Sequence, residues 1–289
     1  MASAGPNTST GAKIGIIAGR GDLPLLLARR LAEQGRSFYL LLVKGEADPA
    51  DYEGYPHDVI AITKIGKFLK ALKREGCRQV TLVGPIARPD FKNIIPDTEG
   101  FKLLKKIGSS FSKGDDGLLR AITEFVEEKG FEIIGAHELE DGFLAPVGVL
   151  GAIKPNDDDQ SDITRGIDVA KAVGALDIGQ AIVIRDGYVL AVEAAEGSEK
   201  LIARCADFAQ ATPAGVFIKL SKPAQELRAD MPTIGPETIR QIKAAHLKGI
   251  VIEAGKTLVL DKDAVIKAAN AAGIFIKAVN CESANDEHG

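Results

Sequence analysis

The sequence predicts an α/β protein of two domains: a parallel sheet with helices on both faces, then an α/β domain of mixed sheet. Three observations predict it. Short apolar runs alternate with amphipathic stretches through roughly the first half of the chain, the pattern of strand–helix–strand units in a parallel sheet. Glycines punctuate the junctions. In the second half, two β-rich runs flank Asp186-Gly187, a strong short hairpin signal that brings antiparallel pairing. At 289 residues the chain has room for two such domains.

Taken in order, KIGIIA (13–18) is a β-branched run suited to a buried parallel strand. Gly19-Arg20-Gly21-Asp22 and the helical pattern LPLLLARRLAEQG follow, stopping at Gly35. FYLLLV (38–43) and DVIAI (58–62) read as strands, KIGKFLKALKREG as a helix closed by Gly76, and QVTLVG (79–84) as the next strand. GDDGLLRAITEFVEEKG reads as a helix ending at Gly130, and FEIIG (131–135) as the last strand. This first domain, 13–138, is Rossmann-like, so its ligand is expected at the carboxyl ends of the strands. The dinucleotide fingerprint is incomplete: GRGDLP carries Pro24 where a third glycine belongs, and Val43-Lys44-Gly45 follows the second strand, with Glu46 one step later. Its glycines suit a nucleotide, a sugar phosphate or NAD at a helix N-terminus, or else simply a tight turn.

Between 139 and 159 the periodicity lapses, and LEDGFLAPVGVLGAIKP reads as a connection. Asp157-Asp158-Asp159 lacks the spacing of a calcium loop and reads as a solvent-facing capping run. The second domain, 160–281, begins with a helix from Asp162 to Val173, then the hairpin over 180–194. A helix from Ser198 to about Phe208 and a strand over 215–220 follow. A further helix spans Glu237 to His246 and ends at Gly249; GIVIEAGKTLVLD reads as a second hairpin turning at Gly255-Lys256. A helix over 263–272 and the strand FIKAVN complete it. A ligand crevice is expected between the domains.

Lys222 to Ile239, KPAQELRADMPTIGPETI, concentrates charges of both signs and is broken by Pro223, Pro232 and Pro236. Three prolines exclude one continuous helix, so it reads as an ordered loop with a helix starting near Pro236, capped by Thr233 or Gly235. Such a loop suits a phosphate-and-metal site; a solvated surface connection has the same composition. Lys113-Gly114-Asp115-Asp116 offers a pyrophosphate–metal contact or only an N-cap, and His137, at the end of the last strand, a site residue or only a structural hydrogen bond.

Net charge is −4 without a long basic run, which argues against nucleic acid as a partner. Cys77, Cys205 and Cys281 show no metal or disulfide spacing, as expected in a reducing cytoplasm. No apolar run approaches the ~20 residues of a spanning helix, and MASAGPNTST reads as a flexible tail rather than a signal peptide.

Several segments together resemble the LpxI-type UDP-2,3-diacylglucosamine pyrophosphatases. They are Ile16 to Pro24, Lys113 to Asp116, Gly135 to Glu138, Asp177-Ile178-Gly179-Gln180, Val192 to Gly197, and Lys222 through Gln225, Arg228, Asp230, Pro232 to Gly235 and Thr238-Ile239. The likeness runs from about Lys13 to Val279; Arg20 stands where the family often has a small residue, and Glu226 where many members have aspartate. The resemblance implies hydrolysis of UDP-2,3-diacylglucosamine to UMP and 2,3-diacylglucosamine 1-phosphate (lipid X) in lipid A synthesis. It also implies Mg2+ or Mn2+, a homodimer, and cytoplasmic work at the periphery of the inner membrane. On that reading Asp230, Lys222 and Arg228 are catalytic, and Asp230, Glu193, Glu196 and Asp115 hold the metal. Gly19, Arg20, Gly21, Gly84, Arg88, Lys113, Asp116 and His137 would contact substrate from the first half, and Gln180, Glu193, Ala194, Glu196, Gln225 and Thr233 from the second. The acyl chains would lie near Val147 to Ile153 and the second-domain hairpins. An NAD-type oxidoreductase and a non-catalytic nucleotide-sugar or lipid carrier are the alternatives.

Overall fold

A computed structural model of the chain describes residues 12–87, 95–108 and 114–281. It divides into two compact units, Met1–Glu140 with Arg228–Asp230, and Asp141–Leu227 with Met231–Gly289.

The first unit runs β1 (Lys13–Ala18), α1 (Leu23–Glu33), β2 (Phe38–Val43), β3 (His57–Ile60), α2 (Ile65–Arg74), β4 (Cys77–Val83), α3 (Thr98–Gly108), α4 (Gly114–Glu128), β5 (Glu132–Ile133) and α5 (Ala136–Leu139). Among the described residues its strands form one sheet in the order β3-β2-β1-β4-β5, every pairing parallel. β2 is buried at all six positions, as a strand covered on both faces must be. Its alternate residues Tyr39, Leu41 and Val43 share a core with Phe68 and Leu72 of α2, Leu103 of α3 and Phe125 of α4. Leu40 and Leu42 point the other way and are equally buried. The order reverses between β1 and β4, which places the switch point at Ala18-Gly19 and Val83-Gly84. α3 has no counterpart in the sequence reading. Its start is tied to α2 by Asp97, whose carboxylate accepts from the N–H groups of Gly66 and Gly100, both at 2.8 Å.

The second unit runs β6 (Gly148–Leu150), α6 (Asp157–Ala175), β7 (Ala181–Arg185), β8 (Tyr188–Val192), α7 (Gly197–Cys205), β9 (Val216–Lys219), β10 (Thr233–Ile234), α8 (Pro236–Ala244), β11 (Gly249–Glu253), β12 (Leu258–Val259), α9 (Lys262–Ala272) and β13 (Phe275–Val279). The larger sheet has the order β6-β13-β11-β9-β7-β8. β9, β11 and β13 are parallel, while β6 and the β7–β8 hairpin run antiparallel to their neighbours. The hairpin turns as its sequence demands: Asp186 and Gly187 both have positive φ, 51° and 74°. Buried Asp162 accepts from both turn N–H groups, at 2.9 and 2.7 Å.

The run over 139–159, read as a connection, contains β6, an edge strand paired with β13 and too short to show a period. Three expectations are corrected here. α6 begins five residues before Asp162, capped by Asn156, and Asp159 is buried against Lys248 at 2.7 Å rather than facing solvent. α8 ends through His246 at φ 54°, while Gly249 opens β11, where a Cβ would lie 2.0 Å from the Phe275 ring. The second hairpin does not form. β11 is flanked by β9 and β13, so no edge is open to β12, which pairs with β10 in a separate parallel two-stranded sheet.

Candidate active site

At the switch point of the first unit, the loops after β1 and β4 interlock. The N–H of Gly19 donates to the carbonyl of Val83 (2.8 Å) and that of Arg20 to the carbonyl of Pro85 (2.9 Å). A Cβ at Gly19 would meet the carbonyl oxygens of Gly84 and Pro85 at 2.5 and 2.6 Å; one at Gly84 (φ 83°) would meet that of Arg20 at 2.4 Å. Gly21 also has a positive φ, 84°, but open space around it. The Gly19 and Gly84 positions thus serve chain–chain approach, and the N–H groups of Gly19 and Arg20 are engaged within the protein. Arg20 is held by Glu46 at 2.8 Å, and Glu46 also accepts from the N–H of Ala87 at 3.1 Å.

Asp115 and Asp116 fall inside the first turn of α4, which starts at Gly114, so neither occupies the capping position; Asp116 is buried. Arg88, Lys113 and the side chain of Asp115 lie outside the described residues. His137 stands on α5 rather than on the strand, its ring folded where a Cβ at Gly135 would lie, 2.3 Å from Cε1. Burial pushes its pKa below the usual value, with Glu138 opposing weakly. The unfolded chain therefore binds this proton more readily than the fold does. Stability is full above about pH 6.5 and falls as the pH drops toward the lowered folded value. His137→Gln should flatten the decline of Tm between pH 7 and pH 5; an unchanged decline overturns the assignment.

The loop rich in charge and proline leaves β9 and runs to β10. Its charges acquire partners from distant parts of the chain. The Lys222 ammonium lies 2.5 Å from Asp177, and the Lys222 N–H donates to the side-chain carbonyl of Gln225 at 2.9 Å. The Gln225 amide reaches Gln180 at 3.4 Å. The Gln180 N–H donates to Glu193 at 3.0 Å, and the Ser198 hydroxyl donates to the other oxygen of that buried carboxylate at 2.8 Å. Just before Lys222, the N–H and hydroxyl of Ser221 donate to buried Glu253 at 3.0 and 2.5 Å, and Lys256 pairs with it at 3.1 Å. These groups gather at one end of the strands of the mixed sheet: the carboxyl ends of β9 and β11, the end of β8 and the start of β7.

The other candidates have the following partners. Glu196 pairs with Arg204 at 2.8 Å. Ala194 contributes its carbonyl to the N–H of Gly197, and the Thr233 hydroxyl donates to the carbonyl of Met231. Arg228 is held by Glu127 of α4 at 2.6 Å. Gly235, not Thr233, caps α8, with Pro236 in its first turn. Sequence reasoning passed over Glu253, Ser221 and Ser198; the one signal was an acidic residue closing the apolar strand GIVIE. Asp177 was visible only within the motif DIGQ.

Among the described residues no group of three or more His, Cys, Asp or Glu side chains is placed to hold a metal ion. Two of the expected ligands have protein partners: both oxygens of Glu193 accept from internal donors, and Glu196 is paired with Arg204. Of the expected ligands, Glu193 and Glu196 are thus engaged within the protein, and the side chain of Asp115 lies outside the described residues.

Strand order and these strand-end groups define an α/β protein with polar and charged side chains gathered at the carboxyl ends of its parallel strands. Residues 13–143 match the LpxI N-terminal domain and residues 146–277 the LpxI C-terminal domain. The UDP-2,3-diacylglucosamine pyrophosphatase LpxI of Caulobacter vibrioides is 43% identical over 274 residues, covering 93% of this chain and 98% of that protein. The chain belongs to the LpxI family. Among solved structures, UDP-glucose 4-epimerase of Thermus thermophilus in complex with NAD is 12% identical, TM-score 0.31, over 93% of this chain and 85% of that one. UDP-N-acetylglucosamine 4-epimerase of Bacillus cereus is 9% identical, TM-score 0.29, over 93% and 86%. Likeness this slight carries no argument; the fold rests on its own strand order.

Proposed function

We propose that this protein hydrolyses the pyrophosphate bond of UDP-2,3-diacylglucosamine to UMP and 2,3-diacylglucosamine 1-phosphate, a step of lipid A synthesis. The observation that carries this is the 43% identity to the Caulobacter pyrophosphatase across nearly the whole of both chains. In the reaction, water adds to one phosphorus and loses a proton, and the bridging P–O bond breaks with its electron pair leaving on the other phosphate. Asp230 orients the water and takes its proton. Lys222 and Arg228 stabilise the charge that grows on the non-bridging oxygens. These three residues lie within one short stretch of loop, and the Lys222 side chain is only 11% exposed, so its charge is weakly screened.

The proposal includes a divalent cation, Mg2+ or Mn2+, a homodimer, and work at the cytoplasmic surface of the inner membrane. The family resemblance supports all three, and two acyl chains keep the substrate in a bilayer. No helix among the described residues is long and apolar enough to cross a membrane. For the acyl chains, a recess of about 580 Å³ in the second unit is lined by Leu144, Ala145, Pro146 and Val147 beside Lys256 and Lys262. Val147, 71% exposed, offers apolar surface there.

Incubation with UDP-2,3-diacylglucosamine in mixed micelles should release UMP and lipid X in equal amounts. Absence of UMP at any cation concentration overturns the reading. Excess EDTA should abolish release and added Mg2+ or Mn2+ restore it; undiminished release in EDTA removes the cation from the proposal.

A further inference from the structure

Helix α6 closes with the N–H of Asp177 donating to the carbonyl of Gly174 at 3.0 Å and that of Ile178 to Val173 at 3.3 Å. That is a left-handed C-terminal cap, and Asp177 occupies its left-handed position at φ 53°. Glycine takes this conformation without strain; a residue with a Cβ does not. The same chain uses glycine after α1, α2 and α9, with Gly35, Gly76 and Gly273 at φ 67°, 69° and 69°. His246 takes the same position after α8 at φ 54°, so a non-glycine residue is accepted there, and what the aspartate adds lies in its side chain.

Its carboxylate supplies the explanation. One oxygen lies 2.5 Å from the Lys222 ammonium, 45 residues away in sequence. The other is buried and accepts no hydrogen bond among the described residues. Lys222 itself is fixed at the backbone by Gln225, and the residue before it by Glu253. The helix end packs on the loop as well, since a Cβ at Gly174 would lie 3.6 Å from the Lys222 Cα. The loop backbone is thus set without Asp177, and what Asp177 adds is the place of the ammonium group.

We propose that Asp177 is a positioning residue: its carboxylate, held in a strained backbone conformation, fixes the Lys222 ammonium where the reacting phosphate is stabilised. This rests on the role given to Lys222 above. A glycine suits φ 53° and leaves the cap intact, yet takes the carboxylate away from the ammonium, and a reacting group misplaced by ~1 Å costs about 100-fold in rate.

The test is a double-mutant cycle on the full chain, reading kcat, KM and Tm for Asp177→Gly, Lys222→Ala and the pair. Asp177→Gly should lower kcat by about 10- to 100-fold with little change in KM. In the Lys222→Ala background the same substitution should lower kcat no further. Asp177→Asn, which tolerates the left-handed conformation and keeps an acceptor without the charge, should fall between wild type and glycine and serves if the glycine variant folds poorly. Wild-type kcat in both Asp177 variants while Lys222→Ala is impaired overturns the inference and leaves the Lys222 role standing. Multiplicative losses in the pair also overturn it, because Asp177 then acts independently of Lys222. Full activity of Lys222→Ala overturns the assignment of Lys222 itself, and this inference with it.

Discussion

Asp230→Ala should lower turnover by about 10² to 10⁴-fold while leaving substrate bound and Tm nearly unchanged. The expectation follows from giving Asp230 the proton of the attacking water, since uridine, sugar and acyl chains supply most of the binding. Asp230 also ends the loop shortly before β10, close to Pro232. A residue that only braced that turn would behave differently. Its loss would cost about 1 kcal/mol of stability and leave turnover per folded molecule intact. Turnover, substrate affinity and Tm measured on one sample separate the two. Asp230→Asn sharpens the comparison, because it keeps shape and hydrogen bonding but cannot take the proton. Near-normal turnover in either variant removes Asp230 from the chemistry.

The sheet of the first unit was legible because its strands are buried on both faces and so are written as unbroken apolar runs; FYLLLV admits little else. The mixed sheet was legible only where a turn forced the pairing, as at Asp186-Gly187. Gly255-Lys256 looked equivalent and was not, since whether β12 can pair with β11 depends on which strands already flank it. β6 escaped for a related reason: three residues on a sheet edge carry no period. At the candidate site, residue types such as Lys222, Gln225 and Glu193 could be picked out, but not their partners. The pairs Lys222–Asp177, Ser221–Glu253 and Arg20–Glu46 each join residues far apart in sequence, and only the packed fold brings them together.

The glycine turn after β1 shows the same limit, and it yields the largest expected loss of stability. A glycine-rich turn at a helix N-terminus reads equally well as a phosphate cradle or as room for another part of the chain. Here Gly19 faces the carbonyl oxygens of Gly84 and Pro85, backbone atoms that cannot swing aside as a side-chain tip could. Gly19→Ala should therefore destabilise by about 2–4 kcal/mol, lowering Tm by roughly 10 °C. Gly21→Ala meets open space and bears only the strain of φ 84°, so it should cost about 1 kcal/mol. A phosphate cradle would reverse the weight of the evidence between the two readouts: Gly19→Ala would keep its Tm and lose substrate affinity. Thermal melts of both variants, with KM measured well below Tm, distinguish these. A Gly19→Ala protein as stable as wild type would show that the loops after β1 and β4 part to admit a ligand, and would return this turn to the substrate.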